Sequence, residues 1–184
     1  MARGENTLET AKQSQDDAYR GAARQYGAAI ERLARGYEAD AELARDLVQD
    51  IHAELWRSFA YFEGQCSLRS WVYRIAHNTA ISHVQAALRR KSETLVELDD
   101  LAQLPAAGDI PAETETRQAR DRLLAIIHRL KPADRQVMLL YLEDLTALEI
   151  GEVTGLSAGA VATRISRLKA VLADHFASNA GDPA

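Results

Sequence analysis

One cysteine, Cys66, is all that the chain of 184 residues carries, so no internal disulfide forms and no cysteine-based metal cluster assembles. No apolar run approaches the roughly 20 residues that a membrane-spanning helix requires. The opening stretch, MARGENTLETAKQSQDD, is polar and lacks the apolar core of a signal peptide, which makes the cytoplasm the expected location. A phosphate loop and a nucleophile elbow are missing. The five histidines, His52, His77, His83, His128 and His175, show no metal-ligand pairing at short helical spacing. These absences argue against an enzyme, a metal site, a cofactor or a small-molecule substrate. Hydrophobic residues at 47% and charged residues at 27% are ordinary for a folded protein, and the length suits one medium domain or two small ones.

The most informative absence is local. From Gly64 to Ser92 there is neither Asp nor Glu, while Arg69, Arg74, Arg89, Arg90 and Lys91 all fall in that span. Tyr61, Phe62, Trp71 and Tyr73 lie among the first of these cations. Cations hold phosphates, and rings stack on unpaired bases at about 1–3 kcal/mol each, so this stretch suits single-stranded nucleic acid. The net charge of -5, taken alone, argues the other way. Much of that excess sits in Glu93, Glu97, Asp99, Asp100, Asp109, Glu113 and Glu115, so the local balance matters more than the total.

Periodicity places helices along the chain. Residues 1–16 offer few apolar anchors and are expected to be disordered. Tyr19, Ala22, Tyr26, Ala29, Ile30 and Leu33 predict a helix over 17–35, with Gly36 as its stop. Asp40 suits the N-cap of a second helix to about Phe62, whose buried stripe is Leu43, Leu47, Ile51, Leu55 and Phe59. On another face Asp46, Asp50 and Glu54 stack as like charges, each pair costing a few tenths of a kcal/mol. Spacing alone favours a solvated face near Arg45 and Arg57 over a docking surface for a basic partner. A loop over 63–66 turns at Gly64, and Ser67 caps a third helix. Leu68, Val72, Ile75 and Thr79 are expected to face inward with Trp71 beside them, and Arg69, Tyr73, Arg74 and His77 to face the other side. Cys66, in the loop, reads as a small filler.

From 92 to 116 Pro105, Ala106, Ala107, Gly108 and Pro111 break the periodicity and acids accumulate, which predicts a flexible acidic linker between two domains. Beyond it Leu123, Leu124, Ile127 and Leu130 form a helical face, and Pro132 opens the next helix. Thr146 and Glu149 have capping-box spacing, Gly155 supplies a left-handed turn, and Ser157 caps a last helix with Val161, Ile165, Leu168 and Leu172 inward. Helix, short glycine turn, helix is the helix-turn-helix pattern. The outer face carries Ala160, Thr163, Arg164 and Arg167, with Lys169 at its flank, and no acid from Ser157 to Leu172. Short residues allow close approach to a groove, and arginines reach phosphates or guanine edges.

Two separated segments resemble one family. ARDLVQDIHAELW, followed by FEGQCSLRSWVYRIAHNTA, resembles region 2 of bacterial sigma factors, and LTALEIGEVTGLSAGAVATRISRLKAVL resembles their region 4. With only these two regions and a short linker, the chain is similar to the extracytoplasmic-function (ECF) group of the sigma-70 family. The resemblance implies an all-α chain of two small helical domains: region 2 over 17–91, a linker over 92–116, region 4 over 117–176 and a disordered tail over 177–184. It implies that Asp46, Leu47, Val48, Gln49, Asp50 and Glu54 dock on core RNA polymerase, which reverses the ranking of the acidic face. It implies that Phe62, Gly64, Gln65, Cys66, Ser67, Arg69, Trp71, Tyr73, Arg74, His77 and Asn78 open and hold the −10 element of promoter DNA. Ser157, Gly159, Ala160, Thr163, Arg164, Arg167 and Lys169 would read the −35 element. Ala160 and Ala162 stand where the family often has Thr and Lys. An anti-sigma factor, membrane-bound in some cases, is the further implied partner. The rival reading is a stand-alone helix-turn-helix regulator with an N-terminal dimerisation or sensing domain.

Overall fold

The computed structural model describes the backbone of residues 2–94 and 115–179, and the side chains of 12–87, 89 and 117–174. Seven α-helices and no strand occur among the described residues: α1 (Ala2–Tyr37), α2 (Ala41–Ser58), α3 (Leu68–Thr94), α4 (Glu115–Arg129), α5 (Pro132–Leu142), α6 (Ala147–Thr154) and α7 (Ala158–Asn179), with a 3-10 turn at Phe59–Tyr61. None of these helices is long and apolar enough to cross a membrane.

In the first domain α1, α2 and α3 pack pairwise against one another. Asp40 starts α2 by accepting from the amides of Glu42 at 2.8 Å and Leu43 at 3.0 Å. Those two amide bonds hold its carboxyl below the usual range. Ala44, Leu47, Ile51 and Leu55 face inward, and Ala22, Ala29, Ile30, Leu33 and Ala34 meet them from α1. Leu43 is 44% exposed, against expectation. One turn before Leu47 both 43 and 44 are candidates for the buried stripe, and the small Ala44 takes the place.

Helix α1 is also longer than its apolar periodicity predicts. It begins at Ala2, so the expected disorder of 1–16 is not what the structure has. Its polar turns find partners on α2: Gln15 Nε2 donates to the Trp56 carbonyl at 2.7 Å, and Trp56 Nε1 donates to Asp16 at 2.7 Å. At the other end Gly36 lies inside the helix rather than after it. The Leu139 side chain crowds the place where a Cβ would sit. Close approach by the second domain, not a left-handed turn, explains that glycine.

The second domain is helix-turn-helix in form. Pro132 occupies the first turn of α5. Thr146 and Glu149 make the expected capping box, with Thr146 N donating to Glu149 at 2.8 Å and Glu149 N donating to Thr146 Oγ1 at 3.3 Å. Gly155 adopts φ 79°, as the turn requires. Ser157 Oγ accepts from the amide of Ala160 at 3.2 Å and starts α7. Ile127, Val137, Met138, Leu140, Leu145, Ile150, Val153, Val161 and Leu168 form the interior. Arg135 ties α4 to α5 by donating to the carbonyls of Ile127 and His128.

The two domains share one apolar cluster. Most of the expected linker and the last residues of the tail, 95–114 and 180–184, lie outside the described residues. At their margins α3 runs to Thr94, α4 starts at Glu115 and α7 continues to Asn179.

Candidate nucleic-acid interface

The loop before α3 is built by its own side chains. Gly64 turns it at φ 79°. Gln65 closes it, accepting from Glu63 N at 2.9 Å and donating to the Tyr61 carbonyl at 3.1 Å. Ser67 caps α3 through the amide of Ser70 at 3.0 Å. Phe62 packs on Trp71 with centroids 5.2 Å apart, and Trp71 Nε1 donates to Ser58 Oγ at 3.0 Å. Cys66 is a half-buried free thiol. Gly64, Gln65, Ser67 and Asn78 are exposed, and Phe62, Arg69, Trp71 and Arg74 are half-buried. Tyr61, 76% exposed, is the freest ring of this surface.

Tyr73 and His77 were expected to face outward with Arg69 and Arg74; both are buried. The reason is that α3 is covered on two sides, by α1 and α2 and again by α5 and α6, so its buried stripe is wider than one face. Val72, Tyr73, Ala76, His77 and Ala80 form it, while Leu68, Ile75 and Thr79 are only half-buried. Tyr37 Oη and His77 Nδ1 are 2.8 Å apart. Burial depresses the His77 pKa to about 3. Burial first, and the Glu143 carboxylate second, push the Tyr73 phenol up.

The second domain engages this surface through Glu143, the capping-box residue Glu149 and Glu152, none of which the sequence marks as part of an interface. Arg32 makes a two-pronged contact with Glu143, at 2.7 and 2.6 Å, and Tyr73 Oη donates to the same carboxylate at 3.2 Å. Arg69 lies 3.7 Å from Glu149, donates to the Glu143 carbonyl and sits 6.0 Å over the Tyr73 ring. Ser70 Oγ donates to Glu152 at 2.7 Å, and Arg74 donates to the Glu152 carbonyl at 2.8 Å. These partners are 70 to 111 residues apart, so no local spacing signals them.

On α7, Ser157, Gly159, Ala160, Thr163, Arg167 and Lys169 are exposed and Arg164 is half-buried. Val161 and Leu168 point inward. Asp134, from the first turn of α5, gathers both recognition-face arginines: Arg164 Nε lies at 3.4 Å and Arg167 Nη2 at 2.9 Å. Lys169 sits 5.8 Å over the Tyr141 ring. The exposed face is therefore short-chained and cationic, with the arginines held in place.

On α2, Asp46, Gln49, Asp50 and Glu54 are exposed and Val48 is half-buried. Leu47 is fully buried, so its side chain belongs to the core and not to a docking face. Glu54 pairs with Arg57, and among the described residues no ion pair reaches Asp46 or Asp50.

Comparison with known proteins agrees with this division. The family model for sigma-70 region 2 matches residues 22–94, and that for sigma-70 region 4 matches 120–172. The chain is 30% identical over 165 residues to the ECF RNA polymerase sigma factor SigG of Mycobacterium tuberculosis, covering 77% of this chain and 45% of that protein. It is 34% identical over 128 residues to the RNA polymerase sigma-H factor of Pseudomonas aeruginosa, covering 67% of this chain and 62% of that one. It thus spans about half to three fifths of the length of these relatives. The RNA polymerase sigma factor CnrH of Cupriavidus metallidurans is 28% identical, with 80% of each chain covered. A solved structure of CnrH in complex with the cytosolic domain of CnrY shares the fold, with a TM-score of 0.66, 20% identity, and 92% of this chain and 94% of that chain covered. Both matched regions, in this order along more than half of the chain, establish that it belongs to the sigma-70 family, in which ECF RNA polymerase sigma factors are among its relatives.

Proposed function

We propose that the protein is a cytoplasmic, non-enzymatic initiation factor that directs core RNA polymerase to specific promoters. The observation that carries this reading is the pair of cation-bearing helical surfaces, one on α3 and its loop, the other on α7. The exposed acidic face of α2, with Asp46, Gln49, Asp50 and Glu54, docks on core polymerase. On α7, Gly159, Ala160 and Thr163 allow close approach to the major groove of the −35 element, while Arg164, Arg167 and Lys169 reach phosphates or base edges. The loop from Phe62 to Ser67, with Arg69, Trp71, Arg74 and Asn78, holds unpaired −10 bases. Stacking and phosphate contacts offset the pairing lost on melting. Tyr73 and His77 support this surface from beneath. An anti-sigma factor is the regulatory partner, and its membrane attachment is where any membrane association of this chain originates.

Gel shifts on promoter fragments with and without core polymerase test the reading. A specific complex that forms only with core enzyme supports it. Tight, specific duplex binding by the chain alone, on a palindromic site, would support the stand-alone regulator instead.

A further inference from the structure

We infer that Asp134 is a positioning residue that sets base discrimination at the −35 element, an inference that rests on the assignment of α7 to that element. Its side chain is 15% exposed and stands on the first turn of α5, outside the helix assigned to the groove. One oxygen, Oδ1, serves both arginines of α7. Arg167 Nη2 donates to it at 2.9 Å, and Arg164 Nε lies at 3.4 Å. The backbone beneath is fixed, because Asp134 N donates to the Lys131 carbonyl at 2.9 Å. Arg135, next in sequence, donates to the carbonyls of Ile127, His128 and Tyr37, so Asp134 is left to the α7 pair.

The carboxylate acts on DNA binding in two opposite ways. Arg164 and Arg167 lie one helical turn apart on one face, where like charges repel and long side chains sample several rotamers. A carboxylate between them offsets the repulsion and orders both guanidinium groups before DNA arrives, so less freedom is lost on contact. Arg164 is held through Nε, and among the described residues no hydrogen bond engages either of its Nη groups. Two N–H groups of one guanidinium, presented edge-on, are what the O6 and N7 of a guanine accept. Against this, a negative charge beside the groove is repelled by phosphates, and it holds arginine N–H groups that would otherwise grip any backbone. Asp134 therefore lowers attraction to DNA in general and sharpens the choice among sequences. A plain tie between α5 and α7 predicts neither effect, and exposed ion pairs stabilise a fold only slightly.

The test is holoenzyme binding to a promoter found by start-site mapping, and to a set in which each −35 base pair is replaced in turn. Wild type, Asp134→Ala, Asp134→Asn, Arg164→Ala and Asp134→Ala with Arg164→Ala are compared. Asp134→Ala is expected to bind the replaced promoters at least as tightly as wild type does. Its preference at one G·C pair is expected to fall about tenfold, within the range of a single arginine–guanine contact. Arg164→Ala is expected to lose preference at that same pair. Adding Asp134→Ala to it is expected to change base preference no further, since the acid acts through the arginine. Asp134→Asn keeps an acceptor oxygen and drops the charge, so it is expected to shift the profile in the same direction, and it decides alone should Asp134→Ala not fold. Equal weakening on every promoter, in step with a lower unfolding midpoint, would make Asp134 a structural tie and overturn the inference. A wild-type profile in both Asp134 variants, while Arg164→Ala loses its base pair, would overturn it too and leave the α7 assignment standing. A wild-type profile in Arg164→Ala as well would remove that assignment and this inference with it.

Discussion

The Tyr37 hydroxyl and His77 Nδ1 lie 2.8 Å apart in the interior of the first domain, with their rings edge to face at 5.5 Å. The other ring nitrogen of His77 is buried without a hydrogen-bond partner. Burial holds the His77 pKa at about 3, against an ordinary value of 6.5, and pushes the Tyr37 phenol up. The unfolded chain therefore takes a proton on this histidine below pH 6.5 that the folded chain refuses until about pH 3. Stability is full above pH 6.5 and falls as pH drops through that window, by up to about 1.4 kcal/mol per pH unit for one proton. His52 is shifted down by burial too, so it adds to the same slope. Urea unfolding between pH 5 and 7, before the carboxylates titrate, measures it. His77→Phe is expected to flatten the slope by up to one proton; an unchanged slope would contradict the assignment.

Gly151 packs against the turn of the helix-turn-helix. A Cβ there meets the Leu156 carbonyl oxygen at 2.7 Å, a backbone atom that does not swing aside. Alanine in a helix ordinarily gains about 0.5–1 kcal/mol over glycine, whereas overpacking costs about 1–3 kcal/mol. The clash wins, and Gly151→Ala is expected to lower the stability of the second domain. Thermal or urea unfolding checks this, and a stabilised variant would refute the close approach.

Asp46 and Asp50 are exposed, and among the described residues no ion pair reaches either. Reversing both to lysine is expected to leave the circular dichroism spectrum and unfolding midpoint near the wild type and to abolish co-elution with core polymerase. Leu47→Ala behaves differently: it empties a buried site and costs about 2–5 kcal/mol in stability. Retained core binding by the double lysine variant would remove the α2 face from the proposed function.

Arg167 is exposed while Arg164 is half-buried, and Asp134 holds both. Arg167→Ala, measured as holoenzyme on promoter DNA, is expected to weaken binding. If the side chain contacts a phosphate, the loss is uniform across sequences and the salt slope falls by about 1. If it reads a base edge, one −35 position loses discrimination by about 1–3 kcal/mol. Neither change would remove Arg167 from the interface.

Much of this was legible in the sequence where local chemistry decides. Asp40, Thr146, Glu149, Gly155 and Ser157 act at positions that spacing alone marks, because caps and turns are satisfied within a few residues. The acid-free runs likewise fell on α3 and α7. What escaped was set by contacts far along the chain. Tyr73 and His77 are buried because a second layer covers α3, and a single helical stripe cannot announce two covering layers. Gly36 reads as a helix stop until Leu139 is seen against it. Residues 13–16 look unanchored until Trp56, forty residues on, supplies their partner. Glu143 and Glu152 carry no motif, and only the closed arrangement of the domains gives them a role.

The central claim is that two cationic surfaces act on one promoter when core polymerase sets their separation. Transcription from fragmented genomic DNA by core polymerase, with and without this chain, followed by mapping of 5′ ends, tests it most directly. The account predicts a discrete set of start sites that appear only with the chain added, share −35 and −10 sequences, and vanish when Arg164 and Arg167 are both replaced by alanine. The same start sites with and without the chain would contradict it.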